Sequence, residues 1–195
     1  MSAVLAAAAT IAITGATISS AAASSSGEHA AARAATTTPV AAPARAKLTL
    51  APSSAALAAC FPHAKARVVV DLTTDTIGKD TFRIYASGLK PKTSFTVFLL
   101  QQATPTFGAA EYIGDITTDQ WGNAHNEFKL IVQEAFAFNG TTAARVDLNS
   151  VGFWFADPAD DDSCLGAASP TTGFDGDASA GVQMMNSGTQ ALPLP

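Results

Sequence analysis

Residues 151–164 read V-G-F-W-F-A-D-P-A-D-D-D-S-C: a strongly apolar run, a proline break, a run of carboxylates and one of two cysteines. Val151, Phe153 and Phe155 fall on one face of an extended chain and Trp154 on the other, the period-two pattern of a strand. The proline and the aspartates then end that strand, because neither continues a β-ladder well. Fold, charge and covalent closure therefore meet in one short stretch.

Upstream, the same short-period pattern recurs from Ala66 onward. Ala66–Leu72 is a β-branched run, and 81–87 places Phe82, Ile84 and Ala86 opposite Arg83 and Tyr85. Residues 94–101 are apolar on both faces, as in a central strand covered on both sides or a strand that meets a partner. Residues 111–117 and 124–133 flank a turn at 118–123 containing Asp119 and Gly122-Asn123, which predicts a hairpin. Another turn at Asn139-Gly140 precedes a strand over 143–148. With roughly seven short strands and no helical stripe between them, the expected fold is an all-β, antiparallel, immunoglobulin-like sandwich.

The flanks differ in composition. From Ser2 to Gly27 there is no charge, and an Ala/Ile/Thr-rich run ends near Ala21-Ala22-Ala23, as in a secretory signal. Residues 24–59 are Ala, Ser, Thr and Pro with few large apolar groups, and after Cys164 the chain returns to Gly, Ala, Ser and Thr. The expected division is a signal-like segment over 1–23, a linker over 24–59, the sandwich over 60–166 and a flexible tail over 167–195. Cys60 and Cys164 bracket the strand pattern, and in an oxidising compartment such a pair reads as a disulfide. Export, to the extracellular space or the cell wall, is the expectation, with no integral membrane segment in the mature protein.

Charge narrows the partners. The net charge is −5, with nine Lys/Arg against four Asp/Glu up to Lys92 and two against twelve beyond it. An acidic C-terminal half repels phosphate backbones, so nucleic acid is excluded as the expected partner. A protein or carbohydrate surface remains.

Two places carry possible chemistry. Asp157, Asp160, Asp161 and Asp162 supply four carboxylates to a proline-stiffened loop, the oxygen-rich donor set that Ca²⁺ takes; the competing reading is a solvated acidic loop at a strand end. Asp175-Gly176-Asp177 imitates the start of an EF-hand loop, but Asn186 stands where the bidentate Glu belongs. Tyr85, Phe98, Trp121 and Trp154 lie opposite the inferred core face or in a turn, where they suggest an aromatic binding face. His125, Glu127 and Lys129 share a polar strand face, with Asp115 expected opposite. None of the hydrolase or zinc-protease motifs is present. A non-catalytic binding or structural module is therefore expected, with a calcium-dependent binding domain and a hydrolase of unknown substrate as alternatives.

Two resemblances bear on this reading. Gly88–Val97, G-L-K-P-K-T-S-F-T-V, resembles the G-L-x-P-x-T-x-Y-x-V segment of fibronectin type III and related immunoglobulin-like domains, which implies a sandwich turn and an adhesion, spacing or binding role. Y-I-G-D-I-T-T-D (112–119) and F-W-F-A-D-P-A-D-D-D (153–162) resemble segments of secreted proteins of high-GC, actinobacterial-type bacteria whose activity is uncharacterised. That similarity implies export and no particular activity.

Overall fold

Strict alternation in R-A-K-L-T-L makes residues from Arg45 onward a strand, with Ala46, Leu48 and Leu50 buried and Arg45, Lys47 and Thr49 exposed. The computed structural model describes residues 44–104, 106–132, 135–138, 144–173 and 179–193. Its strands are β1 (Arg45–Pro52), β2 (Lys65–Asp71), β3 (Asp80–Ser87), β4 (Ser94–Leu100), β5 (Ala110–Thr117), β6 (Ala124–Leu130), β7 (Phe136–Phe138), β8 (Arg145–Asp147), β9 (Ser150–Phe155), β10 (Thr172–Gly173), β11 (Ser179–Ala180) and β12 (Gln183–Asn186). Helices are short: α1 (Ala55–Cys60), α2 (Thr74–Ile77) and α3 (Asp162–Leu165), with a 3-10 turn over Pro158–Asp160.

Eight strands form one antiparallel sheet in the order β5-β4-β9-β12-β1-β2-β3-β6. It folds over at β1, which pairs with β2 through Leu50 and with β12 from Ala51. Two layers result, β6-β3-β2-β1 and β5-β4-β9-β12, which is the expected all-β sandwich. In immunoglobulin constant domains the first two strands lie beside the fifth and fourth; here β1, β2 and β3 are consecutive neighbours. Phe82, Ile84, Val97, Leu99, Phe153, Phe155 and Met184 fill the space between the layers. Each such side chain contributes about 1.5–3 kcal/mol by leaving water.

The segment 118–123 does not join a hairpin. β5 and β6 are the two free edges of the sheet, so the turn carries the chain from one layer to the other. It is fastened to the β3–β4 connection: Leu89 N–H donates to Gly122 O (3.1 Å), and Lys92 N–H to Asp119 O (3.1 Å). A Cβ on Gly122 would lie 2.1 Å from Leu89 O, so only glycine permits this approach. The edges nearly close the sheet, with Asn126 Nδ2 donating to the Asp115 carbonyl at 3.0 Å.

The expected boundaries are corrected at both ends. Residues 45–60 are not linker but β1 and α1, because the alternating R-A-K-L-T-L supplies buried leucines that repay the cost of ordering. Likewise the tail reading of 167–195 fails at β12, which lies between β9 and β1 and buries Met184 and Met185 completely. The signal-like segment, Asn139-Gly140 and Asp175-Gly176-Asp177 lie outside the described residues.

Candidate binding cleft

The second face of β4 and β9 carries its own small core. Phe98, Leu100, Trp154 and Ala180 pack together, with Phe107 closing over them. The rings meet edge to face, Phe98 to Trp154 at 5.5 Å between centroids and Phe107 to Trp154 at 5.3 Å. Phe107 and the β10–β11 pair cover only part of this face. What they leave is a cleft of about 580 Å³ beside the β5 edge, lined by Thr96, Phe98, Phe107, Tyr112, Asp115 and Ala180 among others.

A bulge shapes the cleft's outer wall. The β4–β5 register shifts between Val97 and Phe98, and Gly114 takes φ +153° opposite it. A Cβ at Gly114 would come within 2.4 Å of the Phe128 ring, so β5 can approach β6 only through a glycine. Past the bulge, Tyr112 projects with its ring 5.6 Å from Phe98 and is 55 % exposed. Desolvation, then the influence of the Asp115 carboxylate, raises the pKa of its phenol. On the floor, Thr96 Oγ1 is buried without a hydrogen-bond partner, a cost of about 1–3 kcal/mol for a hydroxyl. The cleft thus offers aromatic surface, one carboxylate and one unused hydroxyl.

The aromatic face expected from the sequence is taken apart by this geometry. Phe98 and Trp154 are 5 % and 2 % exposed, beneath Phe107. Tyr85 lies on the other layer, stacked on His125 at 4.5 Å, with the Arg67 guanidinium 4.3 Å over its ring. Trp121, 71 % exposed, stands apart from these rings in the β5–β6 turn, its backbone N–H donating to Asp119 Oδ1 at 2.8 Å. Alternation identifies which side chains oppose the core, but not which layer they belong to or what covers it.

The four aspartates are also separated. Asp157 Oδ1 accepts from Ala159 N–H (2.9 Å), Asp160 pairs with Lys90 (2.8 Å), and Asp162 begins α3. Asp161 is fully buried, with Oδ1 accepting from Ser169 Oγ and Oδ2 from Val182 N–H at 2.9 Å. The carboxylates of Asp157, Asp160 and Asp161 each serve a different neighbour, so the run does not converge as a Ca²⁺ site would require. Among the described residues no group of three or more His, Cys, Asp or Glu side chains could hold a metal ion. Cys60 and Cys164 do form a disulfide, joining α1 to α3 with their Cα atoms 5.9 Å apart.

No family model matches the chain, and no curated protein matches it. The cleft must therefore be read from its own residues. Asp115, expected beside His125, lines the cleft with Tyr112 instead, while His125 stacks on Tyr85. Glu127 pairs with Arg83 (2.7 Å) and Lys129 (2.8 Å). Tyr112 and Thr96 were not singled out by the sequence. The available signal was Gly114 within E-Y-I-G-D-I-T, an isolated strand glycine of the kind that marks a bulge.

Proposed function

We propose that the chain is an exported, non-catalytic binding module whose β4–β5 cleft takes a carbohydrate ring at or outside the cell surface. The observation that carries this reading is that one cleft is lined by exposed Tyr112, by Asp115 and by Thr96, whose hydroxyl has no partner. A sugar offers one apolar face for an aromatic ring and hydroxyls that both donate and accept, so it matches the Tyr112 ring, the Asp115 carboxylate and Thr96 together. Binding rather than hydrolysis is favoured because, among the described residues lining the cleft, Asp115 is the one carboxylate; glycoside hydrolysis ordinarily uses two. Export is supported by the disulfide and by the uncharged, apolar 2–27 stretch.

The test is a glycan-array screen of the disulfide-intact protein, followed by NMR titration of the strongest hit. Shifts confined to β4, β5 and the Phe107 loop, and their loss in Tyr112→Ala, are expected. Shifts centred elsewhere, or the same affinity in Tyr112→Ala, would sink the proposal. In the described residues no helix is long and apolar enough to cross a membrane.

A further inference from the structure

We propose that the outer face of the β1-β2-β3-β6 layer is a docking surface for an acidic polysaccharide, separate from the cleft and independent of what the cleft binds. The register sets the chemistry of this face. One row across the strands reads Thr49, Arg67, Tyr85, His125; the next Lys47, Val69, Arg83, Glu127; the third Arg45, Asp71, Thr81, Lys129. With Lys65 on β2, the face holds six Lys/Arg side chains against the carboxylates of Asp71 and Glu127, in a protein whose net charge is −5. The rest of the chain is correspondingly more acidic. A polyanion is thus attracted to one face and repelled by the remainder, which orients its approach.

The cations on the face divide into two groups. Arg45, Arg83 and Lys129 are committed, since Asp71 bridges Arg45 and Arg83 while Glu127 bridges Arg83 and Lys129. By contrast, the described residues give Lys47, Lys65 and Arg67 no ion pair, and all three are exposed. Lys65 and Arg67 are two residues apart on one strand face, about 7 Å, and like charges this close repel. Beside them, where β1 leaves β2 for β12, lies a depression of about 490 Å³ lined by Thr49, Lys65, Arg67, Tyr85 and Ser87 among others. Two cations, two hydroxyls and an apolar ring edge converge there on whatever occupies it.

The same geometry selects against single-stranded nucleic acid. Single-strand binders need an aromatic face on which bases stack. Tyr85 has none to offer, because the register puts Arg67 of β2 on one side of its ring and His125 of β6 on the other. Held 4.3 Å over the ring, the Arg67 guanidinium is a fixed planar donor of the kind suited to two-point contact with a carboxylate or sulfate group. Such groups occur along an acidic polysaccharide together with hydroxyls that fit Thr49 and Ser87.

The experiment titrates the full, disulfide-intact chain with polygalacturonate, using uncharged dextran as the control polymer and duplex DNA as competitor. Polygalacturonate is expected to bind and to weaken as NaCl rises, because salt screens exposed charges. Lys65→Ala/Arg67→Ala should weaken binding by about tenfold at low salt, whereas Lys79→Gln/Lys92→Gln, which removes two cations elsewhere, should not. Both variants alter exposed side chains, and an unchanged melting temperature confirms their folding. The proposal is overturned if polygalacturonate fails to bind at low salt, if Lys65→Ala/Arg67→Ala binds as well as the wild type, or if duplex DNA displaces the polymer. Tyr112→Ala should leave this binding unchanged, which keeps the test separate from that of the cleft.

Discussion

The Asp161 carboxylate accepts the backbone N–H of Val182 at 2.9 Å, from a position with no solvent exposure. The acidic run after β9 therefore holds the segment that leads into β12. Gly181 makes room for it, since a Cβ there would lie 2.5 Å from Asp161 Oδ2.

Replacing Asp161 by Ala leaves Val182 N–H and Ser169 Oγ without their acceptor, which should cost about 1–3 kcal/mol or more. Asp157→Ala removes a carboxylate from an exposed turn and should cost clearly less. Urea denaturation of the two variants gives the comparison. Equal losses would show that Asp161 is no anchor.

Thr96→Val separates fold from function in one substitution. The change keeps the side-chain shape and deletes a buried hydroxyl that has no partner, so the free protein should gain stability, by up to roughly the 1–3 kcal/mol cost of an unsatisfied group. If that hydroxyl serves a bound sugar, affinity should fall at the same time. Thermal unfolding and titration of the same sample read both signs; unchanged affinity would remove Thr96 from the cleft's function.

Acid should weaken the ladder on the outer face. Hydrogen bonds from Arg45, then Arg83, hold the Asp71 carboxyl below its ordinary 3.8. Lys129, then Arg83, likewise lower Glu127 from 4.5. Carboxyls depressed in the folded state contribute stability that is complete above their unfolded values and is lost as pH falls through the folded ones. Denaturation midpoints should hold above about pH 4.5 and decline below it, and Asp71→Asn should flatten that decline. An acid limb as steep in Asp71→Asn as in the wild type would contradict the assignment.

The disulfide closes a loop with a sequence separation of 104. In the chain-entropy model a loop of that order contributes roughly 4.7 kcal/mol by restricting the unfolded chain. Cys60→Ala/Cys164→Ala should lose a sizeable part of this in equilibrium unfolding. Intact mass provides the direct check: the protein should gain the mass of two hydrogens on reduction, and two free thiols before reduction would exclude the bond.

How far the fold could be read from sequence depended on strand length. In β3 the alternation is unbroken from Phe82 and the buried set follows from it, whereas in β9 it sets Trp154 opposite Val151, Phe153 and Phe155 but every residue is buried. The same alternation exists in β1, but it sits between prolines in an Ala-rich stretch, where composition argued for a linker. β12 is only Q-M-M-N, buried on successive residues, and four residues without alternation carry no periodic signal. The cleft was hidden for another reason. Tyr112 and Phe98 are brought together by a bulge, and the cover over Trp154 comes from Phe107 in a loop; neither follows from the period of a strand. The two readings of the aspartates stayed open in the sequence because adjacency along the chain does not decide convergence in space.

The position of β12 sets an order of events during synthesis. It is the piece between β9 and β1 that makes two four-stranded layers continuous. Until residues 183–186 have left the ribosome, the layers have no shared seam, and the native pairing of β1 spans more than 130 residues, from Ala51 to Asn186. Distant pairings of this kind are slow to form. A sheet assembled in this way becomes continuous only once β12 is available to pair with both β9 and β1.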